Sequence, residues 1–181
     1  MRPGVPIILA SAVADGAAYG GSSSETSILH ATGKSSLGAG ALSVGDLIRV
    51  RLAGRVSTYT SGTLKLALKF GSVDVCNFAA MTMVVSLTNE TFEAVIDYVI
   101  RALGSGTNAN GLGIGRFTSY AAQGGSATLA PSWLMPQTAP AVGTGFDSTT
   151  SQIIDVTGTW SISNAANALT VHQSLVEWFP G

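Results

Sequence analysis

The chain has 181 residues, a net charge of −1 and charged side chains at only 10% of positions, against about 25% in an ordinary soluble domain. That length suits one well-buried core and excludes two comfortable domains, so a single domain over residues 1–181 is expected, with residues 1–15 an extended arm or edge strand. The near-neutral balance excludes the global basic field that nucleic acid or an anionic membrane surface requires. A surface so poor in charge suggests an exterior buried against other protein subunits, the alternative being a neutral coat of Ser and Thr.

Arg2 followed by VPIILASAVA has the outline of a secretory signal, but Pro3 and Pro6 interrupt its apolar core, and Val5 to Ala10 reads instead as a strand begun at an edge. No stretch approaches the ~18–20 apolar residues of a membrane span, and a soluble chain is expected. Asp15 to Ser24 is a Gly/Ser/Ala loop, Glu25 to Ala31 a second short strand, and Thr32 to Gly45 a Gly/Ser-rich connection.

The clearest stretch is Leu42 to Phe78. Ile48, Val50, Leu52 and Val56 share one parity, while Arg49, Arg51, Ala53, Arg55 and Ser57 share the other. This is the period of a strand with one buried face. After the turn formers of Thr58 to Gly62, Leu64, Leu66, Leu68 and Phe70 alternate with Lys65, Ala67 and Lys69, and the two runs are expected to form a long hairpin. Gly71-Ser72 then turns the chain into a third strand with Val73, Val75 and Phe78. Five of the nine basic residues fall between Arg49 and Lys69. No aromatic residue is interleaved among them on that parity, so they read as a solvated or subunit-facing surface rather than a nucleic-acid site.

Ala80 to Leu87 is a further strand, with Met81, Met83 and Val85 on one parity. Thr91 to Leu103 (TFEAVIDYVIRAL) fits both a helical and an alternating spacing, and its β-branched residues and Tyr98 favour a strand. Gly104 to Gly111 is a loop, and Leu112 to Tyr120 a strand. A Gly/Ala/Ser loop and a short apolar piece at Leu129 to Met135 follow, then a long irregular connection from Pro136 to Ser151. A second hairpin closes the chain. Ile154, Val156, Trp160 and Ile162 share its first parity, Asn164 to Asn167 turn, and the returning strand slips parity between Val171 and Val176 at a bulge near His172 and Gln173. Nine or ten short strands with turns at this spacing predict an all-β sandwich, in which the parities of Ile48, Leu64 and Val156, Trp160, Ile162 face one core.

No motif carries chemistry. The single cysteine, Cys76, excludes a disulfide framework and a cysteine zinc site within the chain. GLGIG at Gly111 to Gly115 opens no helix, so its glycines read as closely packed strand positions. Gly33-Lys34-Ser35 lacks the first glycine of a phosphate loop, which would fall at Ile28. His30 and His172 have no carboxylate or histidine companion at ligand spacing. Glu90, Glu93 and Asp97 read as a solvated or salt-bridged strand face opposite the Arg/Lys row, and Asn89-Glu90-Thr91 is a glycosylation sequon by pattern only. Trp133, Trp160 and Trp178 offer rings for stacking on sugars, but Trp160 lies on the apolar parity and belongs to the core. Catalytic, cofactor and metal sites are all expected to be absent.

The order of these pieces resembles a family of small structural proteins of tailed bacteriophages, the capsid decoration (cement) and head-fibre proteins and the terminal domains of tail fibres. ILASAVADG, SETSILHATG, LSVGDLIRVRLAGRVSTYTSGTLKLALKFGSV, TFEAVIDYVIRALGSGT, GRFTSY and QIIDVTGTWSISNAANALTVHQSLVEW carry the likeness, which covers most of the chain. The resemblance implies a jelly-roll-like antiparallel β-sandwich that trimerises, a strand at Thr91 to Leu103, and no catalysis. The apolar stretch Met81 to Leu87 and the loop Pro136 to Ser151 depart from the family's pattern. The sequence has neither heptads nor Gly-X-Y repeats to form a shaft, so the expected role is decoration of the outer surface of a capsid. Its partners would be its own copies as a homotrimer and the major capsid protein, without nucleic acid or membrane. A tail-fibre tip that binds a host receptor or glycan is the alternative, and a capsule hydrolase, which needs convergent carboxylates, is a distant third.

Overall fold

The computed structural model describes residues 5–59, 61–122, 132–136 and 142–181. Among them are thirteen strands and no α-helix: β1 (Ile7–Ser11), β2 (Tyr19–Gly20), β3 (Thr26–Ser27), β4 (Ser35–Leu37), β5 (Leu47–Thr58), β6 (Thr63–Phe70), β7 (Val73–Asn77), β8 (Met81–Thr82), β9 (Leu87–Ala102), β10 (Asn110–Ser119), β11 (Ser132–Met135), β12 (Gln152–Trp160) and β13 (Ala168–Phe179). Thr91 to Leu103 is therefore a strand, the long β9. The short apolar piece Leu129 to Met135 contains a strand, β11, its first residues lying outside the described ones, as do parts of the loops before and after it.

The strands form two antiparallel sheets packed as a β-sandwich. Sheet A runs β1-β13-β5-β9-β10-β11, with β2 also on β13, and sheet B runs β3-β12-β6-β7, with β4 on β12 and β8 on β6. Alternation in β5 turns Ile48, Val50, Leu52 and Val56 inward, and alternation in β6 does the same for Leu64, Leu66, Leu68 and Phe70. Val156 and Trp160 of β12 and Ile96, Tyr98 and Ile100 of β9 join the same cluster. Each such side chain removed from water contributes roughly 1.5–3 kcal/mol. Phe70 sits edge-on to both Tyr98 and Phe146, with ring centroids 5.3 and 4.9 Å away.

Both expected long hairpins are absent. β5 and β6 belong to opposite sheets, and so do β12 and β13; β5 pairs with β13 and β9, and β6 with β12 and β7. The turn expected at Thr58 to Gly62, of which Thr60 lies outside the described residues, and that at Asn164 to Asn167 thus fall where the chain passes between layers. The two corners are bonded together: the Tyr59 N–H donates to Oδ1 of the buried Asn167 at 2.9 Å, and Thr63 and Ser161 exchange hydrogen bonds beside them. Ile162 lies past the end of β12 and is 39% exposed, so it leaves the core that its parity assigned it to.

The hairpin between β6 and β7 is as expected, with Phe70 opposite Val73 and Gly71 at φ +60°, the glycine that a two-residue turn takes in its first central position. The β13 bulge falls where the parity slip put it, between Val171 and Gln173. Of Glu25 to Ala31 only Thr26 and Ser27 pair as a strand; the chain then enters a 3-10 turn at Ala31–Gly33 that His30 caps. Of Ala80 to Leu87, Met81 and Thr82 form β8 and Met83 makes an isolated bridge to Ala122 before β9 begins; Met81 and Met83 are buried but Val85 is exposed. The described part of the Pro136 to Ser151 connection is held against the sandwich, through Val142 beside Leu112 and Phe146 beside Ala109.

Truncation of Trp160 to Ala removes a fully buried side chain and is expected to cost ~3–5 kcal/mol, whereas Lys65→Ala on the outer face of β6 is expected to cost under about 1 kcal/mol. Thermal melts of the two variants check the assignment of faces, and equal melting temperatures contradict it.

Candidate interaction surface

Because β5 and β6 lie in different sheets, the basic residues of Arg49 to Lys69 do not form one face. Arg49, Arg51 and Arg55 project from sheet A, and Lys65 and Lys69 from sheet B on the opposite side of the molecule. Most of these charges are matched locally. Arg49 donates from Nε and Nη2 to the two oxygens of Asp97 at 2.7 and 2.9 Å and lies 5.2 Å from the centroid of the Phe179 ring, a bidentate pair with a cation–π contact. Its guanidinium is held above its usual pKa first by that hydrogen bond. Arg51 approaches Glu177 at 3.3 Å. On sheet B, Lys69 reaches Glu25 at 2.8 Å and Asp74 at 2.7 Å, and Lys34 reaches Asp155 at 2.9 Å.

The group Glu90, Glu93 and Asp97 is divided. Asp97 meets Arg49 and Glu93 also faces outward, but Glu90 lies opposite the buried Val56 and has the other parity. Asn89 is exposed at φ +55° beside Ser57. His30 accepts from the Thr32 N–H and has a structural role. His172 does have a carboxylate companion, Asp15 at 2.9 Å, brought from a distant loop that no local spacing could reveal. Trp160 and Trp133 are buried and Trp178 is half-buried against the core, so none of the three forms an open stacking platform. A Cβ on Gly111 would lie 2.6 Å from the Tyr98 ring and one on Gly113 2.3 Å from Cys76 Sγ, so these two glycines of GLGIG are close-packing positions. Burial pushes the Cys76 thiol up to about 11, and it stays protonated at neutral pH. Among the described residues no group of three His, Cys, Asp or Glu side chains is placed to hold a metal ion, and no helix is long and apolar enough to cross a membrane.

Sequence reasoning missed an apolar band on the outer face of sheet A. Val142, Leu112, Val99, Leu47 and Phe179 are cross-strand neighbours in one row. Ile114, opposite Asp97, and Leu134, opposite Arg116, extend it towards β11. Leu134 is 62% exposed, Ile114 50%, Val142 49% and Val99 38%. The next row holds Asp97, Arg49 and Glu177, with Arg49 paired to Asp97 and Glu177 to Arg51 of the row beyond. The parities of β9 and β10 held the signal for this band, since Val95, Val99, Leu112 and Ile114 fall on the faces opposite Ile96 and Phe117, but it was legible only once the register brought them side by side. No family model matches the chain, and no curated protein matches it in sequence.

Among the described residues, two of the grooves on the sheets are shallow and open. One, of about 500 Å³, is lined by Leu29, Ala31, Lys34, Ser36 and Ile153. The other, of about 420 Å³, lies over the β13 bulge.

The Lys69 cluster gives a pH prediction. Glu25 is held below its usual 4.5, first by the hydrogen bond from Lys69 and then by that from Thr157. A carboxylate depressed in the folded state stabilises it above its unfolded pKa, and this contribution is lost as pH falls through the folded value. The melting temperature is therefore expected to fall as pH drops below 4.5, and to fall less steeply in Glu25→Gln. Parallel melting curves for the two proteins in that window would contradict the assignment.

Proposed function

We propose that the protein is a non-enzymatic structural component of a bacteriophage virion, a homotrimer on the outer surface of the capsid that bridges neighbouring copies of the major capsid protein. The observation that carries this reading is the outer face of sheet A. Beside its paired charges Arg49, Asp97, Arg51 and Glu177 runs an exposed apolar band several strands wide. A face of this composition suits contact with protein better than solvent, nucleic acid or a charged lipid surface. The sequence resemblance to phage decoration proteins supports the same reading, as does a charged content of 10%. In this reading the band joins subunits about a three-fold axis, and loops at one end of the sandwich rest on the shell. A protein that binds only the assembled shell stabilises it by mass action, by about 2.7 kcal/mol at a hundredfold excess over Kd. Modest contacts repeated over a lattice then suffice.

Light scattering after gel filtration is expected to give a trimer for the native chain and a monomer with an unchanged far-UV spectrum for Val99→Asp combined with Ile114→Asp. A native monomer at micromolar concentration contradicts the trimer. For the shell role, particles lacking the protein are expected to break at lower temperature or in low salt while adsorbing normally to the host. Lost adsorption with unchanged particle stability would instead favour a fibre tip.

A further inference from the structure

The groove over the β13 bulge is lined by Asp15, Ala53, Arg55, Thr91, His172 and Gln173. The bulge opposes two residues of β13 to one of β5 and so turns two consecutive side chains, His172 and Gln173, to the outer face. Asp15 is held beside them because the segment after β1 runs along β13, with the Ala12 N–H donating to the Ser174 carbonyl and the Gly16 N–H to the Val171 carbonyl.

Arg55 differs from the other two arginines of its strand. Arg49 and Arg51 each have a carboxylate, whereas the Arg55 Nε–H donates to His172 Nε2 at 2.9 Å and no carboxylate of the described residues lies within ion-pair range. A guanidinium has only donors, so His172 Nε2 must be the acceptor and its Nδ1–H must donate to Asp15 Oδ2, 2.9 Å away. His172 is thereby held as the neutral Nδ1–H tautomer and braces one edge of Arg55. The terminal nitrogens of the fork are left for a planar anion, which they match in bidentate geometry. The exposed Thr91 and Gln173 flank them as neutral hydrogen-bonding groups, and the second oxygen of Asp15 is an acceptor for a hydroxyl. A phosphate would bring two negative charges beside Asp15, and a neutral sugar would leave the guanidinium unused. One carboxylate with hydroxyls next to it satisfies every group.

We propose that this groove is a recognition site for a carboxylated sugar of the hexuronate class, with Arg55 holding the carboxylate, Asp15, Thr91 and Gln173 the hydroxyls, and His172 as a positioning residue. The site is independent of the shell-docking reading, and its failure would leave that reading untouched.

The test titrates the intact protein with sodium glucuronate, followed by NMR and calorimetry, with glucose, sodium acetate and inorganic phosphate as separate arms. Saturable millimolar binding of glucuronate is expected, about tenfold or more tighter than glucose or acetate, with shifts centred on His172. The ring nitrogens should report the Nδ1–H tautomer. Loss of a bidentate charged contact predicts about a tenfold or greater loss of affinity in Arg55→Gln and in Arg55→Lys, which keeps the charge without the fork. Arg51→Gln, outside the groove, should bind as the native protein does. His172→Phe should weaken binding, and His172→Gln, whose side-chain oxygen can accept from Arg55, should restore part of it. Absence of saturable glucuronate binding overturns the proposal, as does unaltered affinity in Arg55→Gln at a native melting temperature. Equal binding of glucose or acetate, or tighter binding of phosphate, overturns the assignment to a carboxylated sugar.

Discussion

β5 and β6 bury their apolar faces in one core from opposite sheets, and the rest of the structure follows from that division. With β5 in sheet A, its edges are open to β13 on one side and β9 on the other; with β6 in sheet B, β12 and β7 take its edges. The strands that build each sheet therefore come from both ends of the chain. No short segment can fold alone, because each strand's backbone partners and the layer that covers its apolar face lie far away in sequence. The corners that permit the crossing are tied by the buried Asn167, whose side-chain oxygen satisfies the Tyr59 N–H where the sheet ladder has ended.

The same division decides how the few charges are used. A continuous hairpin would have gathered five basic side chains on one surface. Split between two faces, Arg49, Arg51 and Lys69 meet acidic partners contributed by other segments: Asp97 from β9, Glu177 from β13, Asp74 from β7 and Glu25 from the loop before β3. Exposed pairs of this sort contribute little stability each. On the outer face of sheet A they match Asp97, Arg49, Arg51 and Glu177 beside the apolar row, so that a protein partner covering that part strands less unpaired charge, although Arg116, opposite Leu134, has no ion pair among the described residues. Arg55 stands apart from this matching, because its partner is a histidine held by a second group, and it is where the face has recognition chemistry to offer.

A bulge of one residue has an effect out of proportion to its size. Regular alternation along β13 would send His172 and Gln173 to opposite faces; the extra residue puts both outward, next to Arg55 and under Asp15. The parity slip in ALTVHQSLVEWF announced the bulge, but not which residues it would face.

The sequence by itself determined the all-β class, most of the strands, the faces of β5 and β6 and most of that of β12, the β6–β7 turn at Gly71 and the bulge at His172. These are local properties: period 2 records which side of a strand is apolar, and a glycine records where the backbone must turn. Only the tertiary structure decided that two apparent hairpins are crossings between sheets, that Ile162 lies outside the core, that the basic residues occupy opposite faces, and that Asp15 meets His172. The apolar row from Val142 to Phe179 was decided in the same way. Alternation is identical whether a strand pairs with its successor in the chain or with a distant segment, so partner and register are set by which arrangement buries all the inner faces at once, and that is a property of the whole chain.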